Sequence, residues 1–308
     1  MTQATQWKRL IRFTAAEDGK EYYGESTNDG DIGLLAHKGE KLTARIVDGH
    51  PLRPTSTLSN RVLTVGKLLS PLAPRDVTAI RGLGLQYPPD PAKPVQPPAV
   101  PCLFFKPSSS IAGPGDEIVI PSLAEGERND YECELCVVIG KDAKNVKEED
   151  ALDYVAGYCV VNDVSSRGLC GKGGQWGMGK AFDSWCPIGP CLVSPAALGK
   201  RADALTLTTH INGQLAQKAS TKDLVIKVPE LIARLSHGTT LEAGSLILTG
   251  SPVAVGRSAP GDAVEASPFM KHGDEVRCFV ESCGTLINDV RGESPKAAGA
   301  KGFAKAKL

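Results

Sequence analysis

The sequence predicts a β-dominated α+β fold on three observations. Short apolar runs of strand length recur through most of the chain. Helical periodicity is confined to two segments, and the strands lie too close together for βαβ crossovers. With 308 residues, 41% of them hydrophobic, the chain can bury one large core or two smaller ones, with room for a small appended domain.

Residues 8–25 alternate apolar and polar around the turn AEDGKE, a hairpin pattern, and KLTARIVDG adds a short strand. Residues 1–70 therefore read as a small β-rich N-terminal domain, 71–293 as the main domain, and 294–308 as a Lys/Ala-rich tail. Residues 88–101, PPDPAKPVQPPAVP, can form neither a helix nor a central strand and read as an exposed loop or a rigid arm. Strand-like runs follow: CLFFK, DEIVIP, ECELCVVIG, GYCVVND, CLVSP, LTLTTHING, SLILTG and VRCFVES. The two helical segments open at Lys147 (KEEDALDYVAG) and Lys222 (KDLVIKVPELIARLSHG). The second carries Leu231, Ile232 and Leu235 on one face and Gly238 as its C-cap.

Charge narrows the partners. Lys plus Arg and Asp plus Glu stand at 35 each, so no basic field exists to hold nucleic acid or an anionic membrane surface, and a small ligand is expected. The N-terminus MTQATQWKRLIRF has no apolar signal run and no stretch reaches membrane-spanning length, which predicts a cytoplasmic protein. The nine cysteines are scattered, as expected of reduced thiols. Cys133 and Cys136 form the one CxxC, but strand geometry sends them to opposite faces, which argues against a zinc or redox site.

The chemistry centres on NDYECELCVVIG, residues 129–140. If this is a strand, Glu132 and Glu134 point the same way, about 7 Å apart along the chain. They are either two solvated acids at a strand end or half of a cation site. A second run, GYCVVND, ends on Asn162 and Asp163 and brings a third carboxylate to a strand end. Three carboxylates with no histidine or cysteine partner of matching spacing select a hard ion, Mg2+ first, with Mn2+ or Ca2+ tolerated. Residues 174–180, GQWGMGK, fit the first seven positions of a phosphate-binding loop, but Ala181 stands where a hydroxyl should follow and no strand immediately precedes. Lys180 is then either a solvated loop lysine or a buried one paired with an acid.

Taken in order, FFKPSSSIAGPGDEIVIP (104–121), YECEL (131–135), NDVSSR (162–167), GQWGMGKAFDSWCPIGP (174–190), LILTGSPVAVG (246–256) and GTLIND (284–289) resemble the fumarylacetoacetate hydrolase family over roughly residues 68–290. The resemblance implies a mixed β-roll core, usually a homodimer, binding Mg2+ or Mn2+ and acting on 2-oxo or 1,3-dioxo acids. It implies Glu132, Glu134 and Asp163 as metal ligands, Lys180 as the active-site lysine, and Arg167, Tyr87, Gly250 and Ser251 at the substrate.

There are departures. Hydrolytic and decarboxylating members carry a segment similar to NYxxHxxE, whose His and Glu ride on a short lid helix. Here the text is QYPPDPAKP: Gln86 and Tyr87 stay close to pattern, the prolines exclude a helix, and Asp90 is the only acid. The family's Arg-Asp-x-Gln becomes Arg167, Gly168, Leu169, Cys170, and its GVG becomes Ala254, Val255, Gly256. The expectation is a metal-dependent enzyme that cleaves a carbon–carbon bond through a metal-stabilised enolate, of acylpyruvate hydrolase or oxaloacetate decarboxylase type. The alternatives are an isomerase, hydratase or cyclase on a related dicarbonyl, and a non-catalytic homologue that binds metal and ligand. The terminal Ala306-Lys307-Leu308 is similar to the S-K-L peroxisomal address and sets that compartment beside the cytoplasm.

Overall fold

The computed structural model describes residues 7–90, 93, 95–255 and 267–293. The tail 294–308, with Ala306-Lys307-Leu308, and Gly256 lie outside the described residues.

Two sheets carry the fold, which is β-dominated α+β as the sequence predicts. The larger, of 11 strands, runs from Glu21–Ser26 through Thr43–Asp48, Thr57–Leu69, Arg9–Ala15, Cys186–Val193 and Val155–Asn162 to its centre. It continues through Cys133–Ile139, Leu246–Leu248 and Ile80–Gly84 to Cys102–Lys106 at the far edge, and the eleventh strand, Ile111–Ala112, pairs parallel with Cys186–Val193 off this path. The smaller has five strands in the order Gln214–Ser220, Thr206–Ile211, Glu275–Val280, Gly284–Gly292, Ile118–Ile120. Most pairings are antiparallel, but Leu246–Leu248 runs parallel to Ile80–Gly84, and Gly284–Gly292 parallel to Ile118–Ile120. These parallel partners are far apart in sequence, so the sheets are mixed without βαβ units.

The N-terminal hairpin forms as its alternation predicts, with Leu10 opposite Glu25 and Thr14 opposite Glu21. Its first strand also pairs with Cys186–Val193, so residues 9–69 share one continuous sheet with the main domain. A helix that the sequence reading passed over, Ile32–His37, is capped by Asp31, whose Oδ1 accepts from the Gly33 and Leu34 N–H groups. The same carboxylate accepts from the Thr285 hydroxyl at 2.6 Å, which ties this helix to the smaller sheet.

The segment at Lys147 is a 3₁₀ helix over Glu148–Tyr154 and not an α-helix. The N-cap residue Lys147 makes no side-chain cap hydrogen bond, and the strand opening at Val155 leaves only two short turns. The segment at Lys222 contributes the α-helix Val228–Ser236, with Leu231, Ile232 and Leu235 buried. His237 is its C-cap, and Gly238, at φ +74°, takes the left-handed turn one residue later.

The strand Cys133–Ile139 is buried on both faces. Cys133, Leu135, Val137 and Ile139 belong to one apolar core, while Cys136 and Val138 belong to another. The two thiols of the CxxC therefore lie on opposite sides of the sheet. The parity that places Cys136 and Val138 on the second face places Glu132 and Glu134 at its end.

Candidate active site

The site sits where two neighbouring strands leave the core. Cys133 pairs with Asn162 across the ladder, Asp163 N–H donates to Glu132 O at 2.9 Å, and Glu132 N–H donates to Asn162 Oδ1 at 3.0 Å. This register brings together acids that are about thirty positions apart in sequence. Carboxylate oxygens of Glu132, Glu134 and Asp163 lie within 4.8 Å of one another, and all three side chains are buried.

Three buried like charges require compensation. Lys180, in the loop after the short 3₁₀ helix Trp176–Gly179, donates from Nζ to Glu132 Oε2 (2.7 Å), Asp163 Oδ2 (2.6 Å) and the Ser165 hydroxyl (2.7 Å). Arg167, first residue of the helix Arg167–Lys172, pairs with Glu132 Oε1 at 2.5 Å and with Asp130 Oδ2 at 2.9 Å. The third cation escaped the sequence reading: Lys106, fully buried, donates to Asp163 Oδ1 at 2.7 Å and to Val164 O at 3.1 Å. No sequence signal singled it out: both faces of CLFFK carry large apolar residues, and only the structure shows Lys106 sharing the buried face of Phe104 while Leu103 and Phe105 are exposed.

The electrostatics divide the acids. Burial opposes ionisation of Glu132, but the Lys180 and Arg167 charges override it and hold the carboxyl well below the usual range. Burial likewise disfavours the Lys180 ammonium, and Asp163 and Glu132 outweigh it, so the lysine stays charged. Glu134 differs: burial first, then the charges of Asp163 and Glu132, push its carboxyl well above the usual range. Its Oε2 accepts from the Gly250 N–H at 2.6 Å, and among the described residues no cation is hydrogen-bonded to it. Gly250 is required at that place, with φ +91° and Gln86 Cβ only 2.5 Å from where a Cβ would stand.

A cleft of about 540 Å³ opens above these groups. Glu132, Glu134, Lys180, Arg167, Tyr87 and Ser251 line it, so the structure gathers all these residues of the expected site; Asp163 lies beneath, fully buried. Gly250, expected at the substrate, is not among the residues that line the cleft, and its N–H is taken by Glu134. Tyr87 lines the cleft; its hydroxyl is buried with no hydrogen-bond partner among the described residues, and burial first, then Glu134, raises its pKa, so it stays protonated. The arm enters through Pro89, while Asp90 pairs with Lys93 at 3.2 Å. No helix forms among the described residues of 88–101.

The donor set fits a hard divalent ion. It is all carboxylate oxygen, converged and buried, and the one acid that no cation bonds, Glu134, is the one a dication would relieve.

The family profile described as Fumarylacetoacetate (FAA) hydrolase C-terminal matches residues 81–291. The chain is 38% identical over 300 residues to the caffeoylpyruvate hydrolase of Neonothopanus nambi, covering 94% of this chain and 95% of that protein. It is 41% identical over 199 residues to a mitochondrial oxaloacetate tautomerase of Rattus norvegicus, covering 64% of this chain and 60% of the relative. Among solved structures, the 2-hydroxyhepta-2,4-diene-1,7-dioate isomerase of Mycobacterium marinum superposes with a TM-score of 0.75 at 29% identity, covering 93% and 99% of the two chains. No helix among the described residues is long and apolar enough to cross a membrane.

Proposed function

Because the chain belongs to the fumarylacetoacetate hydrolase family, we propose that it is a metal-dependent enzyme cleaving a carbon–carbon bond of an acylpyruvate, a 1,3-dioxo acid. The observation that carries this reading is the buried triad Glu132, Glu134 and Asp163 at the floor of the cleft, braced by Lys180 and Lys106. These acids would hold Mg2+ or Mn2+, and the ion, when bound, would supply Lewis-acid stabilisation of charge developing on the keto oxygen.

The chain's own groups do the rest. Arg167 places a guanidinium on the cleft wall for the substrate carboxylate, with Asp130 and Glu132 fixing its plane. Lys180 keeps its charge beside the reacting carbonyl and would turn one of its three N–H groups, that now given to the Ser165 hydroxyl, to the developing oxyanion. Tyr87 offers the other donor, and Ser251 a hydroxyl on the facing wall. In the overall reaction water oxygen ends on the acyl carbon, the bond to the methylene carbon breaks, and that carbon takes a proton, giving a carboxylic acid and pyruvate.

A second reading, keto–enol tautomerisation of a 2-oxo acid, has its own support. No histidine lines the cleft among the described residues, and a tautomerase needs proton transfer at one carbon and no activated water. The rat tautomerase stands beside it as a relative.

Mass spectrometry of products from acylpyruvates and oxaloacetate, with Mg2+, separates the two. Release of pyruvate and the free acid is expected, and Lys180→Met should lower kcat by about 10²- to 10³-fold, as loss of an oxyanion donor does. Deuterium incorporation beside the keto group without cleavage would transfer the assignment to the tautomerase.

A further inference from the structure

The cleft has two chemically different ends, and the outer one points to the substrate's acyl arm. We infer that this outer end is a subsite for a flat, uncharged aryl or arylalkenyl group, so that the preferred acylpyruvates are aromatic. The inference rests on the proposed acylpyruvate chemistry at the floor.

Two aromatic side chains build one wall. Trp176 and Phe104 pack with ring centroids 5.7 Å apart, tilted by 59°. Both seat on glycines of the strand Ile80–Gly84: a Cβ on Gly84 would stand 2.4 Å from the Trp176 ring, and one on Gly82 2.0 Å from the Phe104 ring. No larger residue leaves room for that wall. Phe104 also lies over Lys180, whose Nζ is 4.3 Å from the ring centroid, so the wall begins where the reacting carbonyl must sit. The rest of the lining carries two large exposed hydrophobics, Leu85 at 75% and Val253 at 43% exposure. Leu85 holds φ +60°, a conformation a leucine rarely adopts.

Charge excludes the other class of arm. Among the described cleft-lining residues the only cations are Arg167 and Lys180, both engaged with carboxylates at the floor. A second carboxylate at the far end of the substrate would lie against Leu85, Trp176 and Val253 and find no cation partner among the described lining residues, so it would gain nothing from the wall. A flat apolar arm instead gains stacking on Trp176 and removes exposed apolar surface from water.

The test ranks three acyl arms on the full chain with Mg2+, by turnover and by calorimetric binding: cinnamoylpyruvate, acetylpyruvate and fumarylpyruvate, whose arm ends in a carboxylate. Cinnamoylpyruvate should show the lowest KM and Kd, by about tenfold or more over either of the others. Trp176→Ala should cut the cinnamoyl-to-acetyl ratio of kcat/KM about tenfold through KM. Because both substrates need Lys180, the ratio cancels any disturbance of that lysine. Val253→Lys, at an exposed site, should move the preference toward fumarylpyruvate. Equal handling of the three arms, or a ratio unmoved by Trp176→Ala in a chain that melts normally, would overturn the subsite. Binding in the predicted order without any release of pyruvate would uphold the subsite and overturn the hydrolase reading, and absence of binding would overturn both.

Discussion

The floor and the mouth of the cleft are built on opposite principles. At the floor every carboxylate is held: Glu132 by Lys180 and Arg167, Asp163 by Lys180 and Lys106, Glu134 by the Gly250 N–H. These contacts come from strand ends and their first loops, in a water-poor setting where each charge depends on its neighbour. At the mouth the chain is irregular, apolar and exposed, with Leu85, Val253 and Pro89 of the arm around it. The difference teaches where substitutions are tolerated. The floor tolerates almost none, because removing one partner strands another charge; the mouth can change its side chains without disturbing the chemistry beneath.

The largest effect that would break this contrast is structural. Lys106→Met removes a cation from beneath Asp163 and leaves a buried carboxylate sharing only Lys180, which should destabilise the protein by about 3–5 kcal/mol in denaturant unfolding. An unchanged midpoint would mean that the floor is not charge-coupled in the way its geometry implies.

A finer test uses the acid that no cation bonds. Glu134→Gln replaces a carboxyl whose ionised form burial, Asp163 and Glu132 already disfavour and keeps an acceptor for the Gly250 N–H, so the metal-free protein should be no less stable, and its unfolding midpoint should hold or rise. Mg2+ affinity measured by calorimetry should fall more than about tenfold, since ligand charge sets the affinity of such sites. Unaltered Mg2+ affinity would remove Glu134 from the ligand set.

Much of the floor was legible in the sequence, for identifiable reasons. Glu132 and Glu134 share a face because strand side chains alternate, and the ends of YECEL and GYCVVND meet because both continue into buried apolar runs that must pair. The ordered motifs added Lys180 and Arg167. Lys106 was not legible, because a lysine closing a strand reads as solvated until the tertiary fold places Asp163 against it. The same limit applied to the aromatic wall. Gly82 and Gly84 are unremarkable in RGLGLQY, and only the packing of Phe104 and Trp176 shows what their missing side chains are for. The short helix Ile32–His37 was missed because six residues carry too little periodicity to stand out from a β-rich segment.

The smallest expected effect bears on the mouth. Asp90 is the only acid on the arm, in the stretch where relatives of the hydrolytic type are expected to carry a base, so it is the natural suspect for activating water. Its surroundings argue otherwise. The carboxylate pairs with Lys93 at 3.2 Å, its side chain is 47% exposed, and Pro89, not Asp90, lines the cleft. An exposed pair of this kind is worth at most about 1 kcal/mol, and losing it should leave the arm in place. Asp90→Asn should therefore change neither pyruvate release nor deuterium exchange beside the keto group by more than about twofold, whereas loss of a true general base would cost about 10²- to 10⁴-fold. With no base supplied by the arm, exchange should outpace cleavage in the unmodified protein, because proton transfer at carbon relies on the floor alone. Were Asp90→Asn to abolish cleavage while exchange and Mg2+ binding persisted, the mouth would carry chemistry after all, and the division between floor and mouth would fail at that residue.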